Sequence, residues 1–131
     1  MSRRKTNLLI PVFFTAVIVT SCCLYMNHRS AATSALFRAC ATRNHEMALQ
    51  ALDDGADVNA IAHFGWHSEF ESDSVLTTAM AFGDATMVKI LIERGTDVNM
   101  MNGHGETPLK KAESLGKQDI VKLLVTAGAR P

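Results

Sequence analysis

Apolar residues return at helical spacing in short, paired segments along most of this chain. Leu36 with Ala39, Leu76 with Ala79, and Leu109 with Ala112 each mark one face of a short segment. A partner segment follows, with Val88, Leu91 and Ile92 in one copy and Val121, Leu124 and Val125 in the next. Residues three and four apart share one side of a helix. The pattern therefore predicts pairs of short amphipathic helices. In the first pair the partner segment is Glu46-Met47-Ala48-Leu49-Gln50-Ala51-Leu52, with small Ala51 where the other copies have Leu91 and Leu124. The start of the chain is different. There Leu8 to Thr20 forms an apolar run.

The polar punctuation repeats with the helices. Gly55-Ala56-Asp57-Val58-Asn59 returns as Gly95-Thr96-Asp97-Val98-Asn99, and Gly128-Ala129 repeats its opening, 33 residues after Gly95. A fixed period of this length is the mark of a stacked repeat. The segment Thr107-Pro108-Leu109-Lys110-Lys111-Ala112 aligns with Ser74-Val75-Leu76-Thr77-Thr78-Ala79 and with Ser34-Ala35-Leu36-Phe37-Arg38-Ala39. Threonine or serine at a helix mouth caps exposed backbone N–H groups. Proline suits the first helical turn, where no donor is needed. Gly55, Gly95 and Gly128 stand where a left-handed C-terminal cap is expected.

These residues resemble the ankyrin repeat: T-P-L-H-x-A opening a first helix, a glycine turn, a second helix, then G-A-D-V-N leading into a β-turn. The match runs over residues 34–131 and is best from Asn102 to Ala129. The resemblance implies an all-α ankyrin solenoid of about three helix-turn-helix repeats with β-turn fingers, at about 34–66, 67–101 and 102–131. The chain departs from the pattern in places. Phe37, Thr77 and Lys110 replace the family's histidine, which ties neighbouring turns together, so a looser stack is expected. Arg43 stands where the other copies have Gly83 and Gly116.

Arg3, Arg4 and Lys5 precede the apolar run, and Ser21-Cys22-Cys23 follows it. This reads as an export signal. Val19-Thr20-Ser21-Cys22 resembles the bacterial lipobox. That implies a signal peptide over 1–21, lipid on Cys22, and a tether over 22–33. Cys23 in the second mature position implies an outer-membrane lipoprotein facing the periplasm, similar to small bacterial ankyrin-repeat lipoproteins. Two other readings stay open. One is an uncleaved anchor from Leu8 to about Met26, near the length of about 20 residues that a span needs. The other is ordinary signal cleavage after Ala32. All three place the repeats outside the cytoplasm, because the basic cluster stays on the cytoplasmic side.

In ankyrin proteins the β-turn tips and first helices line the binding face. Here Asn59 to Ser74 is 15 positions, whereas Asn99 to Thr107 is 8. The seven extra residues fall in or near the first finger, among Phe64, Trp66, His67, Phe70, Glu71 and Asp73. With His104 and Glu106 of the next finger, these are the candidate partner-binding residues. Trp66 is the chain's single tryptophan, and aromatic anchors carry much of the energy at interfaces. The alternative is that Trp66 and Phe70 fold back onto the stack.

Charge narrows the partner. The whole chain is formally neutral, but Arg3, Arg4 and Lys5 lie in the first 21 residues, leaving 10 basic against 13 acidic groups beyond them, a charge of −3. Between Asn44 and Val88 there is no lysine or arginine. Nucleic acid needs a basic footprint, so the expected partner is a protein, with a basic patch favoured.

No catalytic set, cofactor loop or metal centre is assigned. His63 and His67 flank a glycine-containing loop rather than sharing one helix face. Cys40, beside Ala39, reads as a small buried apolar residue. The expected function is protein binding in the cell envelope, as an adaptor or scaffold. The alternative is an immunity protein or inhibitor of an envelope-acting toxin or hydrolase.

Overall fold

The computed structural model of the protein describes residues 31–62, 73–82 and 84–131. Helix α1 covers residues 31–42. It is followed by α2 (His45–Asp53), strands β1 (Ile61–Ala62) and β2 (Asp73–Ser74), α3 (Val75–Phe82), α4 (Ala85–Glu93), α5 (Pro108–Ser114) and α6 (Gln118–Thr126). The first and second helices of each repeat form the pairs α1/α2, α3/α4 and α5/α6. Across repeats, α4 packs between α2 and α6, and α3 packs on α5. This is the all-α ankyrin solenoid expected, with one two-stranded antiparallel ribbon among the described residues. Among the described residues no helix is long and apolar enough to cross a membrane. The signal or anchor segment, Cys22 included, lies outside the described residues.

Local chemistry sets the helix ends. Asn44, Asp84 and Thr107 accept the N–H groups of Met47, Met87 and Lys110 at 3.0, 2.9 and 3.3 Å. Ser74 accepts that of Thr77 at 3.2 Å. Pro108 opens α5. The second helices all end alike. The N–H groups of Ala56, Thr96 and Ala129 reach back to Ala51, Leu91 and Leu124 at 2.9, 3.1 and 2.9 Å. This is the closure that a left-handed residue permits, and Gly95 supplies it with φ +82°. The first repeat starts earlier than residue 34. Residues 31–33 of the expected tether are already helical, Ala32 is buried, and the Thr33 hydroxyl accepts the N–H of Asp57 at 3.0 Å. Ser34 therefore lies inside α1 rather than at its mouth.

One apolar cluster runs through all three repeats. Leu36, Leu76 and Leu109 with Ala39, Ala79 and Ala112 form its inner stripe, and Val88, Leu91, Ile120 and Leu124 its outer one. A fully buried leucine contributes about 1.5–3 kcal/mol relative to exposure. Val125 does not join the stripe expected of it and is 56% exposed. Its equivalent Ile92 packs against the core, but α6 is the outermost layer. Helix α3, in the middle layer, buries every residue from Val75 to Met80. Thr77 and Thr78 tolerate this because both hydroxyls donate to the Ser74 carbonyl, at 2.9 and 3.0 Å.

Thr77, at the histidine position, thus serves its own repeat. The ties between repeats are made by the recurring Asp-x-Asn instead. Asp57 and Asp97 accept the N–H of Asn59 and Asn99 at 3.0 and 2.9 Å, which orients each asparagine. Asn59 then accepts the N–H of Asp97 at 2.7 Å, and Asn99 accepts that of Arg130 at 2.8 Å. Thr33 plays the same part toward Asp57. The linkage that the missing histidines would leave out is carried by these side chains. Arg43 replaces glycine without changing the turn. It adopts φ +57°, near the +68° of Gly116, a conformation that costs an L-residue about 1–2 kcal/mol. Its Nε donates to the Phe82 carbonyl at 2.8 Å, which ties the first turn to the second repeat.

Replacing Asn59 by Ala leaves the Asp97 N–H without this acceptor and should lower unfolding stability by about 1 kcal/mol. Urea denaturation followed by circular dichroism measures it. An unchanged midpoint would remove Asn59 from the linkage between repeats.

Candidate protein-binding surface

The two fingers leave the stack in the same register. In the first, the Val75 N–H donates to the Ala60 carbonyl at 3.1 Å, and Ile61 and Ala62 pair with Ser74 and Asp73. In the second, the Asn102 N–H donates to the Glu106 carbonyl at 3.0 Å. The Asn102 side chain accepts the N–H groups of His104 and Glu106 at 3.0 and 2.9 Å and donates to the Glu106 carboxylate at 3.2 Å. Buried Asn102 thus folds a tight turn around itself. The pair Ala62–Asp73 matches the pair Asn102–Glu106. Between the partners lie ten residues, 63–72, in the first finger and three, 103–105, in the second. The seven-residue insertion therefore falls within 63–72, between the paired residues Ala62 and Asp73 and outside the described residues.

Of the candidate binding residues, Phe64, Trp66, His67, Phe70 and Glu71 lie outside the described residues. Asp73 is half-buried in β2. Glu106 is half-buried at the matching place in the second finger, and His104 is exposed at that finger's tip. The fingers bring Asp73 and Glu106 to equivalent positions at their bases. Sequence reasoning missed two further positions. Ile61 and Met101 are 42% and 58% exposed. Each lies two residues after the recurring asparagine of its own repeat, Asn59 or Asn99, so the internal alignment carried the signal. They give successive fingers an apolar residue at the same level, with acidic Asp57 and Asp97 nearby in the chain.

The opposite edge of the stack is tied by charge. The imidazole Nε2 of His45 lies 3.0 and 3.2 Å from the two carboxylate oxygens of Asp84. The Lys117 ammonium donates to the Met80 and Ala81 carbonyls at 2.6 and 3.3 Å. A cation there also complements the negative end of α3. The N–H of Met87 holds the Asp84 carboxyl below the usual carboxylate range. The bond to His45 and the charges of His45 and Arg43 add to this, and partial burial opposes it. Cys40 is fully buried, and burial pushes its thiol up to about 12. That is the inert, apolar cysteine expected, since the thiolate is the reactive form. Among the described residues no three histidine, cysteine or acidic side chains gather as metal ligands. His63 and His67 lie outside them.

A carboxylate whose folded-state pKa lies below its unfolded value stabilises the fold above the unfolded value, about 3.9, and stops doing so as pH falls through the folded one. Asp84→Asn keeps an acceptor for Met87 but loses the charge. It should be less stable than the parent protein at about pH 5, and the difference should shrink as pH falls below the unfolded value. Denaturation midpoints across that range check this, and a constant difference would assign the effect to packing.

The repeat pattern is shared with known proteins. A family model described as ankyrin repeats in three copies matches residues 36–131. An ADP-ribosylation factor GTPase-activating protein, AGD4, of Arabidopsis thaliana is 38% identical over 58 residues, 44% of this chain and 8% of that protein. The ARF GTPase-activating protein Git of Drosophila melanogaster is 34% identical over 86 residues, 66% of this chain and 11% of that protein. The putative ankyrin repeat protein YahD of Escherichia coli is 30% identical over 73 residues, 56% of this chain and 35% of that protein. The chain thus spans a small part of these relatives, and the enzyme names among them attach to proteins it matches only over repeats. Ankyrin repeats are protein-interaction modules, generally without catalytic activity. Three copies of the motif, stacked and tied as described, make this chain a member of the ankyrin-repeat family.

Proposed function

We propose that this protein is a membrane-attached adaptor that holds another protein in the cell envelope through its fingers. The observation that carries the binding role is the lengthened first finger. Insertions in repeat arrays fall in loops on one face, often the binding face. Here seven extra residues, in an aromatic and acidic stretch, are inserted between the paired Ala62 and Asp73, where the next finger has three residues between Asn102 and Glu106. The acidic content of residues 44–88, with no lysine or arginine among them, favours a partner with a basic patch. The envelope location rests on the amino-terminal sequence alone: a basic start, an apolar run and Cys22 in a lipobox-like setting. Attachment through lipid on Cys22 at the outer membrane is the favoured form. A single-pass inner-membrane anchor is the other. The acidic, aromatic finger equally suits an inhibitor or immunity protein, and a neighbouring toxin gene would favour that reading.

Intact mass of the protein from host membranes should begin at Cys22 with added acyl chains, and the Cys22→Ala variant should lose them. A chain starting near Met1 would overturn lipidation in favour of an uncleaved anchor. Replacing Trp66 and Phe70 together by Ala should weaken partner capture at least tenfold, in keeping with anchor losses of about 2 kcal/mol or more. Unchanged capture by a variant with the parent's circular dichroism would remove the finger from the interface.

A further inference from the structure

Comparison of the three repeats shows which side chains face along the stack. Among the described residues, no layer precedes the first repeat and none follows the third. A position buried in the first two repeats and exposed in the third therefore faces the following layer. On the first helices, Cys40 and Met80 are fully buried, and their equivalent Glu113 is exposed. Phe37 packs against the core and Thr77 is buried, whereas their equivalent Lys110 is exposed. On the second helices, Leu52 and Ile92 pack against the core, and Val125 is 56% exposed. Ala48 and Val88 are fully buried, but Val121 only in part. The end face of the third repeat thus carries Lys110 and Glu113 on α5, and Val121 and Val125 on α6. Each pair, three or four residues apart, shares one side of its helix.

Two simple roles do not suit these four residues. A terminal face that only meets water is polar, but here the α6 half is apolar. A further layer in the same register, whether another repeat or a second copy head to tail, would enclose Lys110 and Glu113 as fully as Thr77 and Met80. Charges are buried only when paired, and neither side chain makes an ion pair among the described residues. They do complement each other across a two-fold axis. An axis lying in the face and crossing the helices sets α5 antiparallel on α5, and α6 on α6. Lys110 then meets Glu113 of the second copy, and Val121 meets Val125 of the second copy. One axis serves both helices. Counted from Gly116 at 1.5 Å per residue, the midpoints of the two pairs differ by only about 4 Å along the helices.

We infer that the α5/α6 end face is a self-association surface whose occupant is a second copy of this chain, related by a two-fold axis. In such an isologous contact each interaction occurs twice. The opposite charges flank the apolar pair and fix its register. The inference needs neither the membrane attachment nor the partner proposed above. The fingers leave from an edge of the stack, not from this face, so a dimer carries two finger surfaces.

The test is sedimentation equilibrium of the full chain in density-matched detergent, at concentrations up to about 100 μM. The parent protein should follow a monomer–dimer equilibrium. Lys110→Glu sets like charges opposite each other twice and should raise the dissociation constant about tenfold or more. Adding Glu113→Lys to that chain restores opposite charges and should bring the constant back to within about threefold of the parent's. Lys122→Glu makes the same charge change at a position exposed in all three repeats, as Leu49 and Lys89 are, and should leave the constant unchanged. Val125→Asp should weaken the dimer about tenfold or more by placing a charge at the apolar contact. Its side chain is already exposed, so its circular dichroism should match the parent's. A monomer at every concentration, a mass that keeps growing beyond the dimer, or a dimer untouched by Val125→Asp would overturn the end face as the contact. A loss that the double charge variant does not recover, or one that Lys122→Glu reproduces, would overturn the two-fold pairing.

Discussion

A repeat of two helices of seven to twelve residues cannot bury its own apolar face, and everything else in this molecule follows from that. Each layer needs a neighbour. The middle layer has two, and α3 is accordingly buried from Val75 to Met80, threonines included. The outer layer has one, and the open side of α6 shows it in the exposure of Val125. Small residues at Ala39, Ala79 and Ala112 let the first helices approach closely. In the first repeat Ala48 and Ala51 fill the places that branched residues hold in the others.

Apolar stacking does not by itself fix the register of one layer on the next. The polar ties do, and they differ on the two edges. Beside the ion pair of Arg94 with Asp53 at 2.7 Å, the recurring ties on the finger edge run from side chain to backbone: Thr33 to Asp57, Asn59 to Asp97, Asn99 to Arg130. These bonds are neutral and directional, so they specify position more than they add energy. On the turn edge the ties are charged: His45 with Asp84, and Arg43 and Lys117 with carbonyls that end α3. They fall where helix ends present partial charge. Three repeats without the family's histidine are thereby linked on both edges.

Much of the fold was legible in the sequence because its determinants are local and recur. Glycine after the second helices, Thr107 with Pro108 before α5, and Leu with Ala three residues on all have one physical meaning wherever they stand. What escaped reading depended on a neighbour 30 to 40 residues away or on an edge. The Asp-x-Asn recurrence was visible, but its reach into the next repeat was not. Arg43 read as a departure, whereas its backbone takes the glycine conformation and its side chain finds Phe82. His45 with Asp84 joins residues that no motif pairs. The helical residues 31–33 escaped because Ser34 aligns with Ser74 and Thr107, which cap the later first helices. For the binding surface, the size of the insertion was legible and its place between Ala62 and Asp73 required the strand register. Ile61 and Met101 were overlooked because aromatic residues drew the reading to the loop.

The pairing of Ala62 with Asp73 has a wider meaning for how this chain can change. It closes the finger below the inserted residues and repeats the backbone geometry that Asn102 and Glu106 give the shorter one. Helix α3 packs on the same ribbon base whatever stands beyond it. Substitutions, insertions and deletions between 63 and 72 can therefore accumulate without passing through a poorly folded intermediate. Lineages carrying this scaffold are free to vary this one short window while the stack drifts slowly. Variation concentrated in that window is the record such a history would leave.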